Sequence, residues 1–195
     1  MVESSGRVSL RPLSLDDVEQ MREWSGPHEI EKYMGRKFDG DSAQSWLEAV
    51  TGDPTRRALA ILDETGRFIG DIELEHLSWG SRSAELRICI GLPAYWDRGY
   101  GTEAVLTLLG DAFGRMSLAQ VYLRVHAENS RAIRCYEKCG FRKEGVLRVG
   151  GRRRDGEEEL VLMTMSRARF FAMEAVRQAR AAVAAAGEGG GGVVH

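Results

Sequence analysis

Ten consecutive residues, Tyr95-Trp96-Asp97-Arg98-Gly99-Tyr100-Gly101-Thr102-Glu103-Ala104, carry the first pattern with chemical content. Two glycines one residue apart open a helix, and the first amides of a helix have no carbonyl partner within it. At the positive end of the helix dipole such amides suit phosphate oxygens. The turn at Gly99 and Gly101 is therefore a candidate site for phosphate oxygens, with the Arg98 charge beside it. Two rival readings fit the same residues. One is a glycine-bearing helix entry that binds nothing. The other is the dinucleotide fingerprint, matched by Gly99-x-Gly101-x-x-Ala104 with Glu128 where a ribose-binding acid would stand. In that fingerprint the glycines follow their strand at once, whereas here Leu92 to Arg98 intervene. No G-x-x-x-x-G-K-[ST] occurs, which excludes a P-loop.

The second pattern is Asn129-Ser130-Arg131-Ala132-Ile133-Arg134-Cys135-Tyr136-Glu137-Lys138-Cys139-Gly140-Phe141. Helical spacing puts Ala132, Cys135, Tyr136 and Cys139 on one face. That face packs into the core, with the Tyr136 hydroxyl finding a partner. Cys135 and Cys139 lie four apart but lack the accompanying His and Cys of a metal centre, so no metal is expected. Glu85 sits on an alternating segment, where it reads as a surface partner of Arg82 or Arg87. His126, whose ordinary pKa is near ~6.5, is read as structural.

Seven strands and several helices must position these groups. RVSLRPL (7–13) alternates as a first strand; Ser14 and Asp16 offer caps for a helix running to about Trp24. A short helix is expected around Ile30–Met34, and Asp41 or Ser42 caps AQSWLEAV. RALAILD and RFIGDIELEHL form a hairpin about Glu64-Thr65-Gly66, followed by SAELRICIG, a meander of antiparallel strands. The second half changes character. Ala104, Val105, Leu108, Leu109, Ala112 and Phe113 repeat at helical spacing, QVYLRVHA is a strand, and Asn129 or Ser130 caps a short helix that Gly140 closes. FRKEGVLRV and EEELVLMTM flank the turn GGRRRDG, whose Arg152, Arg153 and Arg154 read as a solvated hairpin tip. The whole is an α/β crossover joined to an antiparallel half. An Ala- and Arg-rich helix follows at 166–186, with Phe171, Ala175, Ala179 and Ala182 on one face, packed on the domain or, in a homodimer, on a second subunit. A Gly-rich tail, 187–195, is expected to be disordered.

Composition narrows the classes further. The 195 residues are 43% hydrophobic and 29% charged, enough for one core. Lys and Arg total 27 against 29 Asp and Glu, a net charge of −2 that argues against nucleic-acid binding. No run reaches the ~20 apolar residues of a membrane span. No secretion signal opens the chain, so a cytoplasmic location is expected. Cys89, Cys135 and Cys139, the three cysteines, imply no disulfide framework.

Taken together, AELRICIG, YWDRGYGTEA and NSRAIRCYEKCGFRKEG resemble the GNAT superfamily of acetyl-coenzyme A-dependent N-acetyltransferases, in wording close to the RimJ/RimL-type branch. The resemblance runs from about residue 7 to 165 and is strongest over 84–145. It implies a mixed α+β domain, 1–165, with a mostly antiparallel seven-stranded sheet whose fourth and fifth strands splay apart around the acetyl-CoA. The backbone of Ile88, Cys89 and Ile90 would pair with the pantetheine arm like an extra strand. Arg98 to Thr102 would hold the pyrophosphate, Asn129 would hydrogen-bond the pantetheine region, and Tyr136 would stand near the sulfur. Tyr136 is then the donor to the departing thiolate and Glu85 a candidate base, beside a relay through ordered water. One departure is Trp96, where relatives often carry Gln or Arg. Glu29 and Glu31 would flank the acceptor pocket, either as an exposed helix face or as a site for a cationic amine. The acceptor is a protein N-terminal amine, which needs an open groove, or a small amine such as a polyamine, aminoglycoside or amino-acid derivative, which needs a closed acidic pocket. A module that binds coenzyme A without turnover is the alternative from a different class.

Overall fold

The computed structural model describes residues 2–24, 42–150 and 157–188. Eight strands form one sheet: β1 (Val2–Ser5), β2 (Val8–Pro12), β3 (Arg57–Leu62), β4 (Phe68–Ser78), β5 (Ser83–Ile90), β6 (Gln120–His126), β7 (Arg142–Gly150) and β8 (Glu157–Ser166). Their spatial order is β1-β2-β3-β4-β5-β6-β8-β7. The seven expected strands are all present, and β1 adds an edge strand by folding back on β2 across Gly6. Every neighbouring pair is antiparallel except β5 and β6. A single parallel pair rules out the dinucleotide reading, which needs several parallel strands around its glycine turn.

The helices among the described residues are α1 (Leu15–Trp24), α2 (Ala43–Gly52), α3 (Tyr100–Gly114), α4 (Ser130–Cys139) and α5 (Arg167–Glu188), with a 3₁₀ turn at Pro93–Tyr95. Ser42 caps α2 by accepting from the Ser45 amide at 3.1 Å. The expected helix at Ile30–Met34, Glu29 and Glu31, the arginine turn and the tail from 189 lie outside the described residues. α3 supplies the crossover that two parallel strands require. Its Ala104, Val105, Leu108, Leu109, Ala112 and Phe113 are fully buried against Leu59, Ile61, Ile72, Leu74, Leu86, Val121 and Leu123 of the sheet. A smaller cluster, Leu13, Met21, Ala60 and Phe68 with Trp24 and Trp46 packed on it, holds α1 and α2 to the opposite face. Alternation along β3 divides its side chains between the two: Leu59 and Ile61 face the first core, Ala58, Ala60 and Leu62 the second.

The long C-terminal helix docks in a different phase from the one expected. Phe170 is buried against Phe113 at 5.4 Å between rings, Met173 packs on the same core, and Phe171 is exposed. Arg169 donates to the Gly140 carbonyl (2.6 Å) and Arg177 to that of Lys138 (3.2 Å). Docking is set by one aromatic and two carbonyl contacts, which alanine spacing does not reveal.

Candidate active site

β5 and β6 pair only through Ser83–Gln120, Ala84–Val121 and Glu85–Tyr122. Beyond Glu85 the strands part, and β5 passes from buried residues to half-exposed ones at Arg87, Ile88, Cys89 and Ile90. The wedge leaves strand-edge N–H and C=O groups without a neighbouring strand, the arrangement an extended amide-bearing ligand can complete. A cavity of about 260 Å³ opens there, lined by Ile88, Cys89 and Ile90 on one side and by Val125, His126, Asn129, Ala132, Cys135 and Tyr136 on the other.

Gly99, Gly101 and Thr102 line the same cavity. Gly99 is the N-cap of α3 at φ 91°, a left-handed conformation that favours glycine, and its carbonyl accepts the first helical bond, from Glu103 N–H. The amides of Tyr100, Gly101 and Thr102 thus precede the helical ladder. Side chains around the turn brace it from behind. Arg7 donates to Glu103 (2.6 Å) and to the Arg98 carbonyl (3.1 Å), and it stacks on Tyr100 at 4.8 Å. The Tyr100 hydroxyl donates to Glu64. Tyr100 and Arg98 do not line the cavity; the Arg98 guanidinium turns back to the Ala94 carbonyl at 3.2 Å.

α4 brings the second pattern to the wedge. Asn129 caps it, its side-chain oxygen accepting from the Ala132 amide at 3.1 Å, which leaves the amide NH₂ as its donor toward the cavity. Tyr136 is buried beside Phe141, and among the described residues its hydroxyl has no hydrogen-bond partner. Burial, reinforced by the nearby thiols of Cys135, Cys139 and Cys89, pushes the phenol well above its ordinary pKa near ~10, so it is protonated throughout the physiological range. The hydrogen bond with the buried Cys139 thiol holds the Cys135 thiol below its ordinary range, with the Thr102 hydroxyl 3.4 Å away.

Glu85 is placed otherwise than expected. Its carboxylate is buried and clamped by Arg124, both guanidinium bonds at 2.7 Å, with His76 Nδ1 at 3.1 Å, and it does not line the cavity. Nor is it paired with Arg82 or Arg87; Arg87 binds Glu75 (2.9 Å). Strand register explains why. Asp71, Glu73 and Glu75 of β4 and Glu85, Arg87 and Cys89 of β5 are cross-strand neighbours on the face away from α3. On that face Arg56 holds Glu73 at 2.6 Å and Arg124 holds Glu85. Asp71, opposite Cys89, is buried and is one of the cavity-lining residues. This row of acids at every second residue, in a segment already read as a strand, was the overlooked signal.

Trp96 has a defined part. Its indole donates to the Ile90 carbonyl at 2.8 Å, and the Arg131 guanidinium lies over its ring at 3.8 Å. Indole and stacked arginine both line the cavity.

A splayed parallel pair with an amide cradle at its mouth and a neutral phenol inside defines a transferase that uses a nucleotide-borne acyl thioester. The chain belongs to the acetyltransferase (GNAT) domain family, whose model matches residues 7–142. It is an acetyl-CoA-dependent N-acetyltransferase. Among relatives, the spermidine N(1)-acetyltransferase of Vibrio cholerae serotype O1 is 31% identical, over 82% of this chain and 95% of that protein. That of Escherichia coli strain K12 is 28% identical over 74% and 77%. An uncharacterized N-acetyltransferase of Bacillus subtilis, YoaA, is 32% identical over 73% and 83%. The crystal structure of the V. cholerae enzyme with CoA and spermine superposes with a TM-score of 0.75, covering 86% of this chain and 99% of that one at 24% identity. These matches place the chain in the family without singling out the RimJ/RimL-type branch. Among the described residues no helix is long and apolar enough to cross a membrane.

Proposed function

We propose that the chain acetylates a primary amine of a small polycation of the polyamine class, with Tyr136 returning a proton to the departing thiolate. Bound acetyl-CoA supplies the activated acetyl group as a thioester. The observation that carries the reading is the wedge itself, with the Gly99–Thr102 amides at its mouth and the Tyr136 phenol within. In this reading the amides hold the diphosphate, the backbone of Ile88, Cys89 and Ile90 aligns the pantetheine arm, and the Asn129 NH₂ donates to it. A phenol held neutral by burial has the proton the thiolate needs, whose own pKa is near ~8.5.

The acceptor class rests on two supports. One is that two of the relatives, those of V. cholerae and E. coli, are spermidine N(1)-acetyltransferases. The other is the carboxylate row on β4, of which Asp71 reaches the cavity wall. A buried carboxylate draws a protonated amine and favours it over a neutral competitor. Glu85, clamped by Arg124, is a positioning residue in this scheme: it fixes a guanidinium that itself lines the cavity. A relay through water then moves the proton from the acceptor amine.

Thiol release from acetyl-CoA, measured with spermidine, an aminoglycoside and a peptide bearing a free N-terminal amine, tests the assignment. Spermidine is expected to give the highest kcat/KM, and Asp71→Asn to raise its KM about tenfold or more with little change in the KM for acetyl-CoA. A peptide used better than spermidine overturns the polyamine reading. Coenzyme A binding with silence across the whole panel overturns the assignment of an acceptor amine altogether.

A further inference from the structure

The segment that joins β5 to the glycine turn, residues 92–98, has a backbone that does not hold itself. Asp97 stands at φ 56° and Gly99 at φ 91°, two left-handed residues within three, and a residue other than glycine keeps that conformation when its surroundings fix it. Trp96 supplies one contact, through its indole bond to the Ile90 carbonyl at 2.8 Å. Two more come from the turn between β3 and β4. The Tyr95 hydroxyl donates to Asp63 Oδ2 at 2.7 Å, and the Tyr100 hydroxyl donates to Glu64 at 3.0 Å. Neither acid lines the cavity.

That turn is a firm anchor. Asp63 is buried, and its Oδ1 accepts from the Thr65 amide (2.8 Å), the Thr65 hydroxyl (2.6 Å) and the Arg67 amide (3.0 Å). The backbone closes it again, Asp63 N–H donating to the Arg67 carbonyl and Gly66 N–H to that of Asp63, both at 3.0 Å. Burial alone would raise the pKa of this carboxyl; the donors outweigh it and hold the group at about 2, so it is ionised at any assay pH. A phenol donating to an ionised carboxylate makes a stronger bond than one between neutral groups. The rings carry the restraint onward. Tyr95 meets Tyr100 edge to face at 5.0 Å between centroids, and Tyr100 is the buried first residue of α3, between Gly99 and Gly101. Asp63 lies 32 residues from Tyr95 and Glu64 36 from Tyr100, so only the folded sheet brings the pairs together.

We propose that Asp63 and Glu64 are positioning residues of the donor site: through the hydroxyls of Tyr95 and Tyr100 they fix the segment 92–98 and the glycine turn, so that the Gly101 and Thr102 amides stand ready for a diphosphate. The inference rests on the acetyl-CoA reading of the wedge and adds to it two residues outside the cavity. A turn set beforehand spares the ligand the cost of ordering it, so the contribution falls on donor affinity and not on the chemical step.

Tyr95→Phe/Tyr100→Phe removes both hydroxyls and keeps both rings. Its KM for acetyl-CoA, and its Kd for coenzyme A by calorimetry, are expected to rise about tenfold, with kcat at saturating donor and the KM for the acceptor amine unchanged. Asp63→Ala/Glu64→Ala, which removes the partners and leaves the tyrosines, is expected to give the same rise. The four changes together should add nothing further, because both pairs act through the same bonds. Val50→Ala, at a buried position of α2, is the control: a lowered thermal midpoint with both constants as in wild type. An unchanged KM in the tyrosine variant overturns the proposal and leaves acetyl transfer standing. So does a rise of equal size in Val50→Ala, or full additivity of the two pairs. If the acid variant does not fold, the tyrosine variant and the control decide alone. A wild type that binds no coenzyme A sinks the acetyl-CoA reading and this inference with it, so the unmutated protein tells the two failures apart.

Discussion

At the scale of single residues, Tyr136 and Glu85 show how burial divides two groups of similar promise. Tyr136 is buried, faces the cavity and has no partner for its hydroxyl among the described residues, so its proton is available to whatever stands in the wedge. Glu85 is as buried but fully engaged by Arg124. Tyr136→Phe should therefore lower kcat by about a hundredfold or more, within the range for loss of one general acid, and leave the KM for acetyl-CoA nearly unchanged. Burial raises the phenol's pKa, so the donor form exists below that value and is lost only above it. The kcat profile should thus show no descending limb from Tyr136 below about pH 10. An inflection near pH 8 that vanishes in Tyr136→Phe would contradict this account, as would an unchanged kcat. The tyrosine was legible in the sequence because it sits at fixed spacing from Asn129 and Gly140. The state of Glu85 was not, because its partner Arg124 lies 39 residues away on a strand that only the parallel pairing brings alongside.

At the scale of elements, two glycines separate what positions the site from what stabilises the fold. Gly140 ends α4 at φ 99°, where its amide reaches the Glu137 carbonyl at 2.9 Å, and an added Cβ would meet the Met173 sulfur at 2.3 Å. At Gly101 a Cβ would stand 3.5 Å from the Cys135 sulfur, an ordinary contact. Gly140→Ala should therefore cost about 2 kcal/mol or more of stability, read as a lowered denaturation midpoint. Gly101→Val should weaken coenzyme A binding while changing the midpoint little, because its side chain would fill the space a diphosphate approaches. Calorimetry with coenzyme A and thermal unfolding on both variants separates the two roles; the reverse pattern would place the phosphates away from the turn. Local signals of this kind, caps and alternating strands, were readable because they depend on residues a few positions apart. The splay between β5 and β6 came only from family likeness, since a gap between strands leaves no periodicity of its own.

At the scale of the whole molecule, the folding unit extends past the last strand. The family model ends at residue 142, yet Phe170 lies inside the main core against Phe113, and Met173 packs above Gly140. Among the described residues Arg177 makes the last bond from α5 to the domain, to the Lys138 carbonyl. Beyond it residues 178–184 are exposed, Val183 at 75%. A chain ending at 180 should match the full chain in thermal midpoint and in KM for acetyl-CoA. One ending at 167 should lose several kcal/mol, since removing a buried phenylalanine costs about 3–5 kcal/mol and the Arg169 bond to Gly140 goes with it. The same loss should reach the site, because Gly140 terminates the helix that carries Tyr136. Phe170→Ala in the full chain distinguishes packing from mere length: a midpoint lowered nearly as far as in the short chain locates the effect in that one contact. If the chain ending at 167 is as stable as the full chain, α5 is an appendage and the helix contributes nothing to holding the wedge open.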